Sequence, residues 1–265
     1  MMIENEMVKP IIRVGNSAGV LLPRAWLHGK ARVLLIEEKL NPEREIFDIL
    51  SDYLGDIKSL AIVGSYARGE QTAESDVDVL AITHFTNSRI KLGKYDIILI
   101  SEGKLKDALD DNILPLLPML REAKPLINKE FIDRYSKEIV TKKNLSFHFE
   151  TTKSAMSVVW ADIELKREQG KKYVEDASAY SLILRLRELY IVECLLRNKK
   201  WSKREFLRLI KKVAGNIVAY NGYLRVKDNK KKGIASLLLE EAQRIYEYII
   251  DGIKEQQRKW AEISK

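Results

Sequence analysis

The sequence is poor in cysteine and has neither a long apolar run nor an apolar leader. Of its 265 residues only Cys194 is a cysteine, so an internal disulfide and a secreted disulfide scaffold are excluded. No apolar run approaches the ~18 residues of a membrane span. The acidic start, residues 1–6, lacks the apolar region of a signal peptide. We therefore expect a cytoplasmic protein with no secretion signal and no membrane partner.

The positive charge of the chain is unevenly distributed. With 46% hydrophobic residues the chain can form a core, and its length favours two domains with room for a small third. Counting Lys and Arg against Asp and Glu gives +2 for residues 1–40, −4 for residues 41–150 and +10 for residues 151–265. An acidic middle beside a basic carboxyl-terminal part indicates segments with different roles.

The hydrophobic pattern divides the chain into three parts. Residues 8–38 contain short β patterns, residues 43–105 mix a helix with apolar strands, and residues from about 151 onward are helical. The predicted strands are Ile11–Val14, Gly19–Leu22, Ala31–Ile36, Leu60–Val63, Val77–Thr83 and Tyr95–Ile100. The predicted helices include 43–54, Ala179–Leu196, Lys203–Val213 and Ile234–Ile253.

The chain from Gly64 to Arg68 has the properties of a phosphate-binding turn. An apolar strand ends at Gly64, and Ser65 is a favourable N-cap for a helix beginning there. Glycine permits close approach of the backbone to a ligand, and a helix amino terminus offers unpaired N–H groups to an anion. Arg68 is a candidate for contact with the phosphates, the alternative being a residue of the helix surface.

Three aspartates indicate a metal site nearby. Asp76 and Asp78 are two residues apart on an apolar strand, so both carboxylates lie on one face. Asp96 begins another apolar strand and joins them if the two strands pair. Carboxylates held this close repel one another, and Mg²⁺ is commonly held by one or two carboxylates together with substrate phosphates. The set predicts two-metal phosphoryl or nucleotidyl transfer; the alternative is solvated residues on an edge strand.

These residues resemble the signature of the DNA polymerase β-like nucleotidyltransferase superfamily, closest to its minimal nucleotidyltransferase branch. Gly64-Ser65, ten intervening residues and Asp76-Val77-Asp78 carry the resemblance, which covers about residues 43–105. It implies that Asp76 and Asp78 bind two Mg²⁺ ions, with Mn²⁺ as an alternative, and that Asp96 completes one metal site. It further implies an NTP substrate whose phosphates are held by Gly64, Ser65 and nearby N–H groups.

The amino-terminal segment resembles a swapped-hairpin DNA-binding domain of the AbrB/MazE type. The match runs over residues 8–38 and includes the Gly15-Asn16-Ser17 turn, although the usual last strand is short or missing. It implies a homodimer that binds duplex DNA, with Arg13 and Asn16 near the DNA. The alternative is a hairpin that only dimerises or packs on the catalytic sheet.

The carboxyl-terminal part carries the basic surplus and resembles the HEPN-type helical domains. Basic side chains with aromatic residues nearby suit single-stranded nucleic acid. The alternative is a set of solvated helix faces. The candidate nucleic-acid contacts are Lys199, Lys200, Lys203, Arg204, Lys230, Lys231 and Lys232.

We therefore predict an α+β protein with three parts: a hairpin segment (1–40), a mixed-sheet nucleotidyltransferase domain (41–145) and an all-α helical bundle (146–265). The leading hypothesis is metal-dependent transfer of a nucleoside monophosphate, AMP first, from an NTP to an acceptor hydroxyl with release of pyrophosphate. The acceptor is a protein tyrosine or an RNA end. The alternative hypothesis is a dimeric DNA-binding regulator or antitoxin-type protein whose core binds a nucleotide.

Overall fold

The computed structural model describes residues 6–34, 41–227 and 237–263. The strands are β1 (Ile11–Val14), β2 (Ser17–Val20), β3 (Ile57–Val63), β4 (Val77–Thr83), β5 (Ser88–Leu92), β6 (Tyr95–Ser101) and β7 (Lys124–Ile127). The helices are α1 (Pro42–Ile49), α2 (Gly64–Arg68), α3 (Glu102–Asp111), α4 (Leu117–Glu122), α5 (Lys129–Ser136), α6 (Ser146–Glu168), α7 (Asp176–Leu196), α8 (Lys203–Ala214), α9 (Val218–Lys227) and α10 (Leu239–Ile263). The predicted α+β class is confirmed: a small hairpin, a mixed sheet and carboxyl-terminal helices.

Residues 1–41 and residues 42–265 form two separate compact units. In the first unit β1 and β2 form an antiparallel hairpin, with Ile11 opposite Val20 and Val14 opposite Ser17. The prediction of a third strand over Ala31–Ile36 is wrong for residues 31–34, which adopt no strand. In the described part of this unit each hairpin strand pairs only with the other, so residues 31–34 have no ladder to join. Leu35 and Ile36 lie outside the described residues.

The second unit contains a five-stranded sheet in the order β5-β6-β4-β3-β7. Strands β4 and β6 are parallel, and the other pairs are antiparallel. The three apolar strands predicted from the sequence are confirmed at the centre of this sheet. The two edge strands were not predicted, because β5 is mostly exposed and polar and β7 is a four-residue segment that includes Pro125.

The predicted helix over 43–54 is shorter than expected. Helix α1 ends at Ile49, and a 3₁₀ turn over Ser51–Asp56 leads into β3. The carboxylate of Asp56 accepts hydrogen bonds from the backbone N–H groups of Phe85, at 3.1 Å, and Thr86, at 2.9 Å. These bonds tie the end of the turn to the loop after β4.

Helices α6 to α10 pack on one hydrophobic core that is continuous with the sheet. The core runs from Leu80 and Ile82 on β4 to Leu186 and Leu189 on α7, all of them buried. Residues 42–265 therefore form one compact unit, and the predicted division between residues 145 and 146 stays a prediction. Within the described ranges, no helix has both the length and the apolarity needed to cross a membrane.

Glu102 joins three elements of this unit at the end of the sheet. Its carboxylate accepts hydrogen bonds from Lys58 Nζ on β3 and from Tyr135 Oη on α5, both at 2.6 Å. Lys106 lies 3.2 Å away. The hydrogen bond from Lys58, followed by that from Tyr135, lowers the pKa of Glu102 to about 2.

We predict that Glu102 contributes to the stability of the fold above about pH 4.5 and that this contribution is lost as the pH falls toward 2. The folded pKa lies below the unfolded value, so stability is present when the carboxylate is ionised. Glu102→Gln should reduce the free energy of unfolding by about 1–2 kcal/mol at pH 6, a figure discounted for solvent screening, and by less at pH 3. Urea unfolding at both pH values measures this, with exposed Glu130→Gln as control. An equal loss at both pH values would contradict it.

Candidate functional site

The turn after β3 brings Gly64 into direct contact with Asp78. Val63 lies opposite Asp78 in the β3–β4 ladder, and Gly64 then turns the chain with φ of +69°. A Cβ atom on Gly64 would lie 2.1 Å from Oδ2 of Asp78, so only glycine fits at this position. The backbone of the turn and the carboxylate of Asp78 therefore form one surface.

Ser65 does not cap α2 as the sequence analysis expects. The N-cap position is occupied by Val63, which makes no side-chain capping bond, and Ser65 lies inside the first turn. The difference arises because the positive φ of Gly64 reverses the chain before Ser65 is reached. Ser65, which follows Gly64, is partly exposed.

Two of the three predicted carboxylates, Asp78 and Asp96, lie side by side near the beginning of the central strands β4 and β6. Asp78 and Asp96 are partners in the parallel β4–β6 ladder, so both side chains lie on the same face. Asp76 is exposed and immediately precedes β4. Burial raises the pKa of Asp78, and the negative charges of Asp96 and Asp76 add to this effect. Lys227, the last residue of α9, acts in the opposite direction, which places positive charge from the helices near the cluster.

Asp96 is neutralised by two cations from strand β5. Arg89 donates from Nε to Oδ1 and from Nη2 to Oδ2, each at 2.6 Å, and Lys91 Nζ lies 3.5 Å from Oδ2. The hydrogen bonds from Arg89 lower the pKa of Asp96. Arg89 and Lys91 were not predicted from the sequence. The available signal was two basic residues, two positions apart, in the segment just before the apolar strand that contains Asp96.

The carboxylates have the chemistry of a Mg²⁺ site without being assembled into a complete one. Among the residues that the structure describes, no three His, Cys, Asp or Glu side chains are close enough together to hold a metal ion. Mg²⁺ typically uses only one or two carboxylates and takes its other ligands from substrate phosphates and water. Asp78 and Asp76, as hard oxygen donors with an electrostatic need for a cation, fit that requirement. The carboxylate of Asp96 is instead occupied by Arg89 and Lys91.

Glu122, at the end of α4, holds the turn after β3 in place through hydrogen bonds. Its side chain is 5% exposed, and it accepts hydrogen bonds from the Gly64 N–H at 2.8 Å and from Arg68 Nη1 at 2.6 Å. Burial raises the pKa of Glu122, and Arg68 opposes that change. Glu122 was not predicted; its only sequence signal is a charged residue ending an apolar helix.

Arg68 faces the protein interior. Besides Glu122 it contacts Glu70, with Nε 3.0 Å from Oε2, and its guanidinium lies 4.2 Å from the ring centre of Trp201. Arg187 lies at 4.8 Å from the same ring. In this arrangement Glu122, Glu70 and Trp201 surround the guanidinium of Arg68, and its predicted contact with phosphates stays a prediction.

Glu70 extends this network to the amino terminus of α8. It accepts hydrogen bonds from Ser202 Oγ at 2.6 Å and from the Lys203 N–H at 3.1 Å. Ser202 also caps α8 through the Glu205 N–H. Glu70 therefore links the turn after β3 to the amino terminus of the basic helix α8.

The predicted nucleic-acid contacts fall into two groups. In the hairpin unit, Arg13 lies on β1 and donates to the Gly15 carbonyl at 2.9 Å, and Asn16 lies in the turn. In the helical part, the exposed candidates are Lys199, Lys200, Lys203 and Arg204. Lys230, Lys231 and Lys232 lie outside the described residues.

We predict that Glu122→Ala strongly destabilises the protein. Removing one partner of a buried ion pair leaves the other charge uncompensated, which costs about 3–5 kcal/mol. Glu122→Gln should cost less, because the amide oxygen still accepts from Gly64. Urea unfolding measures both, with exposed Glu130→Ala, expected within about 0.5 kcal/mol of wild type, as control. A Glu122→Ala protein as stable as the control would refute the supporting role of this carboxylate.

Comparisons with known proteins agree with this geometry over part of the chain. Residues 43–147 match the family model described as nucleotidyltransferase domain. The search of solved structures found a nucleotidyltransferase-like protein from Exiguobacterium sibiricum 255-15, with 13% sequence identity and a TM-score of 0.37 over 83% of this chain and 76% of that chain. At that similarity the structural match adds nothing to the argument. No curated protein matches the sequence. Residues 43–147, which include Gly64, Asp78 and Asp96, are therefore similar to a nucleotidyltransferase domain, and this similarity supports an enzyme of the transferase class.

Proposed function

We propose that this protein is a metal-dependent nucleotidyltransferase that moves a nucleoside monophosphate, AMP first among the candidates, from an NTP to an acceptor hydroxyl. The observation that carries the proposal is the juxtaposition of Gly64, Asp78 and Asp96 at one end of the central strands of the sheet. Asp76 adds a third carboxylate two residues from Asp78, and the whole set lies inside the matched domain.

The aspartates would hold the metal. Asp76 and Asp78 are assigned as the principal ligands, because their mutual repulsion is relieved by a divalent cation. Asp96 is assigned as the third ligand. When bound, Mg²⁺ supplies positive charge that offsets the charge developing on the phosphoryl oxygens. Two such ions are expected, and Mn²⁺ has suitable coordination chemistry as a substitute.

The turn would hold the phosphates. The N–H of Gly64 is already bonded to Glu122, so the side chain of Ser65 and the N–H groups that follow Gly64 are assigned to the β- and γ-phosphates. Arg68 acts here as a positioning residue, because Glu122 and Glu70 occupy its guanidinium. Its role is to keep the turn pressed against Asp78.

The transfer itself breaks a phosphoanhydride bond and forms a phosphoester bond. The acceptor oxygen forms a bond to the α-phosphorus while the bond from that phosphorus to the pyrophosphate oxygen breaks. The hydroxyl proton passes to Asp96, and pyrophosphate leaves with its electron pair. Because Arg89 lowers the pKa of Asp96, the carboxylate becomes an effective proton acceptor only after Arg89 withdraws.

The basic face of α8 favours an RNA end as the acceptor over a protein tyrosine. Phe206 and Ile210 are buried, whereas the opposite side of the helix is exposed and positively charged. That side carries Lys203, Arg204, Arg208, Lys211 and Lys212. Glu70 links this helix to the turn after β3. An RNA strand bound on α8 would therefore lie on an element that is hydrogen-bonded to the proposed phosphate-binding turn. Basic residues of this kind neutralise phosphates in a sequence-independent way.

We expect transfer of label from α-labelled NTP in the presence of Mg²⁺, and we expect Asp76→Ala and Asp78→Ala to lower its rate by about 10²–10³-fold. Each of ATP, GTP, CTP and UTP is incubated with short RNAs or with candidate proteins, and the labelled product is resolved by gel. Asp107→Ala, an exposed acid on α3, is the matched control. Undiminished transfer in Asp76→Ala or Asp78→Ala refutes the mechanism. Labelling of protein tyrosine alone rejects RNA as the acceptor.

A second proposed activity belongs to the hairpin unit. None of the described residues 6–34 is buried, and its apolar side chains are open to solvent: Ile11 is 51% exposed, Val14 54% and Leu21 70%. A two-stranded hairpin of this size is marginally stable alone. We propose that a second copy of the hairpin covers these side chains, which gives a homodimer whose Arg13 and Asn16 contact duplex DNA.

Deletion of residues 1–38 should convert a dimer into a monomer and abolish binding to duplex DNA. Sedimentation measures the mass, and titration of labelled DNA at several salt concentrations should show affinity falling steeply with salt. The double variant Arg13→Ala/Asn16→Ala should remain dimeric while losing DNA affinity. A monomeric full chain refutes the dimer, and unchanged DNA binding after the deletion refutes DNA recognition by this segment.

A further inference from the structure

Four charged side chains lie on one face of three adjacent strands. In the β4–β6 ladder Asp78 is opposite Asp96, and in the β5–β6 ladder Asp96 is opposite Lys91. Arg89 is two residues before Lys91 on β5, so alternation places it on the same face. The two aspartates on central strands therefore have two cations beside them on the edge strand β5.

The two aspartates differ in what occupies their carboxylates. Both oxygens of Asp96 accept hydrogen bonds from Arg89, one from Nε and one from Nη2, each at 2.6 Å. Asp78 is partly exposed, and among the described residues no cation lies within ion-pair distance of it; Lys227 acts on it from farther away. A divalent cation can therefore reach Asp78 directly, whereas at Asp96 it must first displace a guanidinium.

Arg89 is held in this position by Asp96 alone. The Arg89 side chain is 58% exposed, whereas that of Asp96 is 17% exposed. In the described part of the chain, the guanidinium of Arg89 has no hydrogen bond or ion pair with any other side chain. Transfer of this guanidinium to another anion consequently breaks its bonds to Asp96 and no further side-chain bond of the fold.

A phosphate group is an anion that suits this guanidinium. The planar fork of arginine forms a bidentate pair with phosphate oxygens as it does with a carboxylate. The proposed phosphate-binding turn begins at Gly64, which contacts Asp78, and Asp78 is the ladder neighbour of Asp96. Phosphates held on that turn would therefore lie beside the pair of aspartates that Arg89 contacts.

From these observations we infer that Arg89 closes Asp96 to metal ions in the free protein and releases it in the nucleotide complex, where the NTP phosphates accept the guanidinium. Asp76 and Asp78 hold the first divalent cation, and Asp96 becomes a ligand only when substrate is bound. The reaction centre stays incomplete until the NTP arrives. This inference rests on the proposed metal-dependent transfer and adds the order in which its site is assembled.

Titration of Mn²⁺ into the nucleotide-free full chain, followed by the electron paramagnetic resonance of the unbound ion, tests the closure of Asp96. Wild type should bind one ion per chain, and Arg89→Gln should bind a second ion about tenfold more tightly than wild type does. Lys91→Gln removes the same charge from the same face of β5, where Lys91 makes one longer contact with Asp96, at 3.5 Å. This matched control should change the affinity by less than about threefold.

Binding of inorganic tripolyphosphate at saturating Mn²⁺ tests the transfer of the guanidinium to phosphate. This anion carries the phosphates of an NTP without its base, so the result does not depend on base preference. Calorimetry should show that Arg89→Gln binds it about tenfold more weakly than wild type, and that Lys91→Gln binds it within about threefold of wild type.

The outcomes separate this inference from the proposed function. Equal effects of Arg89→Gln and Lys91→Gln in either titration, or two Mn²⁺ ions on nucleotide-free wild type, overturn the inference and leave the proposed transferase intact. Absence of Mn²⁺ binding in every protein overturns both. Tighter Mn²⁺ binding by Arg89→Gln without any transfer of labelled nucleotide supports the closure of Asp96 and refutes the transferase. The count of ions on wild type decides the matter without a variant, should Arg89→Gln fail to fold.

Discussion

The buried carboxylate of Glu122 is the interaction on which the site depends. It accepts the N–H of Gly64 and pairs with Arg68, and Arg68 in turn contacts Glu70 and Trp201. A buried charge is tolerated only when such partners satisfy it. Glu122 therefore holds the turn after β3 in the one position where the glycine backbone meets Asp78. Through Glu70 the same network reaches the amino terminus of α8, so the turn beside Asp78 is connected to the helix that carries the basic surface.

The second constraint is the electrostatic repulsion among the aspartates, in contrast to the attractive contacts of Glu122. Strand register forces Asp78 beside Asp96, and Asp76 adds a further negative charge. The protein answers this repulsion with Arg89 and Lys91 from an edge strand and with the more distant Lys227. Arg89 and Lys91 contact the carboxylate of Asp96 and favour its ionised form. In the proposed reaction, a divalent metal ion would offset the negative charge of the aspartates and of the substrate phosphates.

Sequence reasoning succeeded where a pattern is local and strong. The apolar runs of β3, β4 and β6 are buried central strands, and the spacing of Gly64, Asp76 and Asp78 identified the matched domain. It failed at β5 and β7, because edge strands lack the apolar signal of central ones. It also misplaced the cap at Ser65, because a positive φ at the preceding glycine is decided by contact with Asp78, a residue on another strand.

The sequence by itself determined which residues are acidic and which are basic, and that residues 151–265 carry a surplus of +10 within a net charge of +8. Only the tertiary structure decided how those charges are paired. Glu122 meets Gly64 and Arg68 across 58 and 54 residues of chain. Local patterns report on neighbours along the chain, whereas the pairing of a buried charge is set by neighbours in space. That is why the ion pair between Arg68 and Glu122, 54 residues apart, is visible in the fold and has no local signal in the sequence.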